Sequence, residues 1–560
     1  MNYRHFKHEG WLYALAFLAA IALRFIQLGA IPLTDAEAGS ALQALHIAQG
    51  LKPMLGPHPL YILSTSVLFF LYGGGTNFLA RFFPAFVGSV LVFAPLLFVD
   101  ERIKPRSGVI LAFFLAFDPG LVALSRQSAS PILAVVFLLF ALGFINKNKI
   151  SLAGIFFALA LLSGPSIWMG ILGLGIAWSI NRALSFKQPS ELKSLTLNSL
   201  FRIPFFSTFI IAGSLFFITP NGLSAALASI PEFISRWTTA SDVPAMRLSF
   251  SFLIYQPLGV LLVVIATIRG WWVGSKRIIP LSVWFLVTLL LAIFIPSRQM
   301  SDLVWVLIPF WAMASIELAR QVDVFPDERA EVAGVIFLTA FIYTFTWLDL
   351  AGLAWTPAES SQYIMRFWLL IGAMFLLVLS LLLVAAGWST RVAQIGSIWG
   401  LTLAFGILGL GGTLGSAGLR GTAYPELWHP AYLPAQAELL QATVSDMSEW
   451  GAGNDYSAPV VIMGIDSPAL EWALREHQVT MAETLDMTSA PYFVVTLLQN
   501  NPMLASAYRG QDFTWRQTPS WDATLPKNWL RWVALREMPQ STETIILWAR
   551  DDLFVDAPSP

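Results

Sequence analysis

The sequence has no cysteine and few charges. Across 560 residues, charged side chains make up 12% and histidine occurs six times. Without cysteine there is no disulfide framework, no thiolate nucleophile and no Cys-ligated metal. Soluble globular chains carry about 25% charged residues, so half that value excludes an ordinary soluble domain. Instead 56% of the residues are hydrophobic and 14% aromatic, the composition of a polytopic helical membrane protein. The 33 basic and 34 acidic residues leave a net charge of −1, which excludes the basic footprint of a nucleic-acid binder. No G-x-x-x-x-G-K-[ST] loop occurs, so a nucleotide-driven pump has no phosphate cradle here. No His/Asp cluster stands out either, and neither a metal nor any other cofactor is implied.

A membrane span needs ~20 mostly apolar residues. Such runs begin near Trp11, Leu79, Ser107, Ser130, Ile150, Pro165, Ile203, Phe252, Ile278, Leu303, Ala333, Phe367 and Ala393, about thirteen in all. The first reads as an uncleaved span, because Arg24 and Gln27 stand where a signal peptide needs small residues. Pro59–Tyr72 is apolar but short, and loop charge decides its case. If it does not cross, basic residues gather on one side with Arg4 and Lys7: Arg102, Lys104 and Arg106; Lys147 and Lys149; Arg182, Lys187, Lys193 and Arg202; Arg269, Lys276 and Arg277; Arg320 and Arg329; and Arg391. That side reads as cytoplasmic. Pro59–Tyr72 is then expected along the outer surface, and everything after Gly415 is external.

The domain reading follows. Residues 1–420 form a membrane module with a large first external loop at 30–78 and a second loop at 220–251. Residues 421–560 form a small external α/β domain. Within it Val460–Ile465, Tyr492–Leu498 and Thr544–Trp548 read as strands. Ser467–His477 reads as a helix with Ser467 as N-cap and Pro468 at the first helical position.

The first loop opens with Thr34-Asp35-Ala36-Glu37, which fits the capping box S/T-x-x-E/Q. In that reading Thr34 caps a helix, Glu37 reaches back to its N–H, and Asp35 favours the helix dipole. The helix that follows is amphipathic, with Glu37, Ser40, Gln43 and His46 on one side, as suits a membrane interface. The rival reading makes Asp35 a general base, since a carboxylate near apolar surface can take a proton from an acceptor hydroxyl. Two positions separated by two residues point about 200° apart on a helix. Asp35 and Glu37 therefore cannot both face one small cavity. The spacing assigns Glu37 to the box and leaves Asp35 free for a cavity shared with Arg126 and Arg298.

Further motifs follow in order: His58-Pro59-Leu60-Tyr61, then Arg81-Phe82-Phe83-Pro84 with Gly88, then Leu124-Ser125-Arg126-Gln127. With Asp35-Ala36-Glu37 they resemble the GT-C glycosyltransferases of the protein O-mannosyltransferase and aminoarabinose-transferase group. The corresponding pieces there are an acidic motif after the first span, H-P-P-L-Y-Y, R-x-x-P with a following Gly, and an S-R-x turn. Two departures stand: Ala36 separates the two acids, and Leu60 replaces the second proline. By this resemblance the catalytic carboxylate falls on Asp35, or on Glu37 where the register shifts across Ala36, and His58, Tyr61, Arg81 and Arg126 belong to the substrate site. The donor implied is a polyprenyl-linked sugar, with a protein, lipid or glycan as acceptor.

Three other polar residues carry two readings each. Asp118, in Phe117-Asp118-Pro119-Gly120, reads as a cap for a broken helix or as a functional intramembrane acid. Arg126 reads as its ion-pair partner or as a phosphate contact. Arg298, on a short external turn, reads as a snorkelling side chain or as a fork for the lipid phosphate. The leading function is a membrane glycosyltransferase using a lipid-linked donor on the external face. Its rivals are a transporter or flippase, which broken helices also suit, and a non-catalytic assembly scaffold.

Overall fold

The computed structural model describes residues 6–99, 105–184, 199–241, 243–322, 325–357, 359–421, 425–429, 433–454, 456, 458–485, 490–498, 504–521 and 526–554. Arg4, Arg102, Lys104, Lys187 and Lys193 of the charge argument lie outside them. The chain is a polytopic helical membrane protein. Among the described residues, six helices are long and apolar enough to cross a bilayer: Asn77–Phe98, Ser166–Leu184, Met300–Gln321, Arg329–Trp355, Ser361–Gly387 and Thr390–Ser416. Two bent pairs raise this to eight: Pro105–Phe117 with Pro119–Ser125, bent by 57°, and Ala245–Tyr255 with Pro257–Trp272, bent by 95°. Both breaks fall at a proline, which has no N–H to continue the helical ladder. At the first, Asp118 caps the new helix by accepting the Leu121 N–H at 2.7 Å.

Eight of the thirteen expected runs coincide with these helices. The other five fall on shorter apolar helices, Gly10–Phe25, Ile132–Asn146, Ile150–Leu161, Ser199–Gly213 and Ile278–Phe294. Pro59–Tyr72 is a helix of 14 residues. Burial sorts the long helices. Met300–Gln321 is 94% buried and forms the centre of the bundle, whereas Ser361–Gly387 is 11% buried and turns Leu, Phe and Trp outward, as a lipid-facing helix does.

Four N-terminal helices frame the site: α1 (Phe6–Phe25), α2 (Asp35–Ala48), α3 (Pro59–Tyr72) and α4 (Asn77–Val90). Gly88 on α4 packs so closely on Pro119–Ser125 that a Cβ there would overlap the Ser125 side chain. The glycine of the R-x-x-P segment thus permits a close helix crossing.

The C-terminal segment carries a six-stranded mixed sheet in the order β1-β5-β6-β4-β2-β3. Its strands are β1 (Leu433–Pro434), β2 (Val460–Met463), β3 (Val479–Ala482), β4 (Phe493–Leu497), β5 (Tyr508–Pro519) and β6 (Gln540–Arg550). The three strands read from sequence correspond to β2, β4 and part of β6. Of the strands not read, β1 has two residues, β3 is partly exposed, and β5 carries Arg509, Gln511, Asp512 and Arg516 and lacks a sustained apolar alternation. The expected Ser467–His477 helix is shorter, Pro468–Ala473.

This segment docks on the first loop. Helix Pro468–Ala473 packs against α2. Trp472 lies 5.9 Å from the Phe69 ring and donates from Nε1 to Asn77 Oδ1 at 2.8 Å. Arg475 Nε donates to the Gly75 carbonyl at 2.9 Å. First loop and sheet therefore lie on one side of the bundle.

Candidate active site

The Asp35-Ala36-Glu37 motif forms the first turn of α2, and the two acids diverge as helical geometry requires. The expected box between Thr34 and Glu37 forms, but the acid that meets a polar cavity is Glu37 and not Asp35. Glu37 is 4% exposed and lines a polar cavity, while Asp35 faces the C-terminal segment. Ser467 Oγ donates to Asp35 Oδ1 at 2.5 Å, the Ala469 N–H donates to the same oxygen at 2.9 Å, and Arg516 Nη2 donates to Oδ2 at 2.7 Å. Asp35 thereby caps the Pro468–Ala473 helix in place of Ser467, whose hydroxyl serves as a donor. A bulge in β5 between Thr514 and Arg516 accompanies this contact. Bulges re-aim side chains, and here Trp515 stays buried while Arg516 reaches Asp35.

Glu37 combines capping with a buried ion pair. Its Oε2 accepts the Thr34 N–H at 3.1 Å, the reach-back half of the capping box, and the Thr34 hydroxyl at 3.2 Å. Arg81 grips both oxygens, Nε to Oε1 and Nη2 to Oε2, each at 2.8 Å. The Ser128 N–H donates to Oε1 at 3.0 Å. Burial pushes the Glu37 carboxyl up, but the Arg81 charge and these hydrogen bonds outweigh it and hold the group below its ordinary value. Glu37 is thus a firmly ionised anchor for Arg81. The rest of the Arg81 fork donates to the carbonyls of Leu28, Ile31 and Pro32, which fixes the connection between α1 and α2.

Arg126 ends the Pro119–Ser125 helix and turns back to the C-terminus of α1. Its Nη1 donates to the carbonyls of Leu23, Arg24 and Ile26, and its Nη2 to that of Gln27, at 2.8–3.1 Å. A cation there suits the negative end of the helix dipole. The expected pairing of Arg126 with Asp118 is not what forms. Asp118 Oδ2 accepts from Gln256 Nε2 at 2.9 Å and from Trp311 Nε1 at 2.8 Å. Asp118 is 1% exposed and ties the broken helix to Gln256 and to the central Met300–Gln321 helix. Arg24 donates to Ser125 Oγ at 3.1 Å and to the carbonyls of Ala20, Leu115 and Ala116.

The H-P-L-Y segment starts α3. His58 precedes its first turn, Pro59 takes the first position, and His58 Nδ1 lies 3.3 Å from the Ser163 carbonyl. Tyr61 is fully buried, and its hydroxyl donates to the Ala80 carbonyl at 2.8 Å, one residue before Arg81. Arg298 lies apart from this group. Its Nη1 reaches the Val243 carbonyl at 3.4 Å, beside the Arg236–Asp302 ion pair at 2.6 Å. It does not line the cavity that Glu37 and Arg126 share.

That cavity has a volume of about 40 Å³ and is lined by Glu37, Arg81, Arg126, Gln127, Ser416 and His429 among others. This is room for ordered water or the oxygens of an anion. Sequence reasoning missed His429. It follows the last long helix, and its approach to Glu37 depends on a chain separation that no local pattern reports. Its Nε2 lies 3.1 Å from the Ser416 carbonyl, and Gln127 Nε2 holds the neighbouring Trp428 carbonyl at 3.1 Å. Burial, with the nearby Arg81 and Arg126 charges, holds the His429 imidazole below its ordinary value, against the opposing pull of the Ser416 carbonyl and Glu37. Among the described residues, no group of three or more His, Cys, Asp or Glu is arranged to hold a metal ion.

No family model matches the chain, and no curated protein matches it in sequence. Solved structures do. The crystal structure of ArnT from Cupriavidus metallidurans bound to undecaprenyl phosphate aligns at 16% identity over 85% of this chain and 86% of that one, with a TM-score of 0.53. The apo form of the same protein aligns at 14% identity over 85% of this chain and 86% of that one, with a TM-score of 0.49. An Archaeoglobus fulgidus oligosaccharyltransferase aligns at 14% identity over 84% of this chain and 62% of that one, with a TM-score of 0.35. The alignment with lipid-bound ArnT, which spans both the membrane helices and the C-terminal segment, shows that this chain has the GT-C fold that its Asp35-to-Gln127 motifs resemble.

Proposed function

We propose that this protein is a membrane glycosyltransferase. It moves a sugar from a polyprenyl-(di)phosphate-linked donor to an acceptor on the external face of the cytoplasmic membrane. The observation that carries this reading is the charge of the cavity within this fold. Two guanidinium groups, Arg81 and Arg126, stand against one carboxylate, Glu37, which leaves one positive charge in excess. Such a site attracts a phosphate and stabilises the negative charge that develops as the anomeric carbon–oxygen bond breaks. The related ArnT structure holds undecaprenyl phosphate, a ligand of the same chemistry. Soluble nucleotide sugars are absent outside the membrane, where a polyprenyl carrier can deliver its sugar.

In this reading Arg81 and Arg126 face the donor phosphate, and Glu37 keeps Arg81 in place. Tyr61, His58 and Asp118 hold α3, α4 and the broken helix around it. Arg298, outside this cavity, serves in the reading as a second phosphate contact. Asp35 can act on an acceptor only after leaving Arg516, and its present contacts support a clamping role. The topology has thirteen spans, with the N-terminus cytoplasmic and the C-terminal domain external. Twelve crossings after the first satisfy the even count that the docking of α2 on the C-terminal segment requires.

The test is sugar transfer by the purified full chain in lipid, supplied with polyprenyl-phosphate-linked sugars. The expected result is protein-dependent release of the polyprenyl phosphate. No release from any lipid-linked sugar by a folded protein would overturn the reading. It would favour instead a non-catalytic scaffold, a reading supported by the observation that Asp35, Glu37 and Arg81 already have protein partners at every charged group.

A further inference from the structure

We propose that His429 is the general base of this reaction, taking the proton of the acceptor hydroxyl on Nδ1. The inference rests on the glycosyltransferase reading and assigns a role to a residue outside the resemblance motifs.

The geometry fixes the tautomer. A carbonyl oxygen only accepts, so the contact between His429 Nε2 and the Ser416 carbonyl at 3.1 Å requires the proton on Nε2. The neutral ring then has its lone pair on Nδ1, which makes no hydrogen bond with the described residues. A base needs one ring nitrogen anchored by an acceptor and the other free to take a proton; His429 has Nε2 anchored and Nδ1 without a partner among the described residues, and the residue lines the cavity.

The competing carboxylates are less suited. Glu37 accepts five hydrogen bonds, two of them from Arg81, and Asp35 accepts three, one of them from Arg516. A carboxylate whose lone pairs are filled by charged donors is a poor proton acceptor. The charged groups around His429 come from each neighbouring element: Glu37 on α2, Arg81 on α4, and Arg126 after the Pro119–Ser125 helix. Burial first, and then the two arginines, keep the imidazole neutral before reaction. A phosphate bound to them would cancel part of that effect and raise the basicity of His429 when the donor is in place.

The step balances. The acceptor oxygen forms a bond to the anomeric carbon, and its proton passes to His429 Nδ1. The bond from the anomeric carbon to the phosphate oxygen breaks, and its electron pair stays on the polyprenyl phosphate. The imidazolium that forms lies near the Glu37 carboxylate and returns its proton to solvent.

The experiment uses the full chain in lipid with a polyprenyl-phosphate-linked sugar that the wild type consumes. His429→Gln keeps an N–H for the Ser416 carbonyl but has no basic nitrogen. It is expected to lower turnover by about 10²-fold or more, with little change in donor KM or thermal midpoint. Wild-type kcat/KM is expected to rise with pH through an apparent pKa below the ordinary histidine value of 6.5, and the Gln variant to lose that limb. A Gln variant active within threefold of wild type, with its limb intact, overturns the assignment but leaves the reaction standing. A wild type without any acid limb overturns it too, whether or not the variant folds. A wild type that transfers nothing overturns the reaction itself and this role with it.

Discussion

Asp35 and Arg516 stand 481 positions apart and meet in a hydrogen-bonded ion pair at 2.7 Å. The first helix after α1 is thereby clasped by the fifth strand of the C-terminal sheet. The same carboxylate caps helix Pro468–Ala473 through the Ala469 N–H. One side chain thus joins the loop that carries the acidic motif to the segment that covers it.

Asp35→Asn separates this clasp from chemistry. The amide keeps the shape but loses the charge that Arg516 and the helix start share. The expected outcome is a loss of about 1–3 kcal/mol in the docking of the C-terminal segment, read as a lower thermal midpoint and faster proteolysis between Ala482 and Tyr508. Turnover at a permissive temperature should fall by less than about tenfold. A fall of about 10²-fold or more with unchanged stability would return the role of base to Asp35.

Glu37 makes stability depend on acid pH. Its folded carboxyl is held below the ordinary value of 4.5, so the unfolded chain binds the proton more readily. Its contribution is therefore fully present above pH 4.5 and is lost as pH falls below that value toward the lower folded one. Thermal melts across that window should show a drop that Glu37→Gln flattens. Glu37→Gln also leaves Arg81 without its counter-charge. It should cost about 3–5 kcal/mol at neutral pH, the usual penalty for breaking a buried pair. Equal melting curves for the two proteins at every pH would contradict the pairing seen here.

The two remaining arginines should part company in donor binding. Arg126→Lys keeps the charge near the end of α1 but loses the fork, and Arg298→Ala removes a cation outside the cavity. Titration with undecaprenyl phosphate should weaken for Arg126→Lys by about 1.5–3 kcal/mol, the value of a charge-assisted bond. Arg298→Ala should weaken it by less if that residue is only a second contact. A larger loss at Arg298 than at Arg126 would move the phosphate to the turn between Ile278–Phe294 and Met300–Gln321.

The absence of cysteine makes topology directly measurable. Single cysteines at Met54 in the first loop and Asp446 in the C-terminal segment should label with an impermeant reagent from outside the cell. One at Lys276 should label only after permeabilisation, as the basic loops require. Label at Met54 and Asp446 from opposite sides would contradict the docking of α2 on helix Pro468–Ala473, whatever the orientation.

Local chemistry makes much of this molecule legible in its sequence. Long continuous apolar runs become helices in a bilayer, because a helix satisfies the backbone groups of the run within itself. Thr34 to Glu37 and Asp118-Pro119 mark helix starts because caps and prolines act within a single turn. The divergence of Asp35 and Glu37 follows from the helical angle alone. Which acid meets the cavity does not. That depends on Arg81 arriving from α4, 44 positions from Glu37, and on a strand bulge that delivers Arg516 to Asp35. His429 is likewise unremarkable in sequence and becomes part of the site only when the last long helix packs on the Pro119–Ser125 helix and brings the chain after it beside Arg126. Charge pairing and burial at these separations are settled by packing, since a carboxylate in a low-dielectric interior takes whichever cation the fold brings within hydrogen-bonding distance.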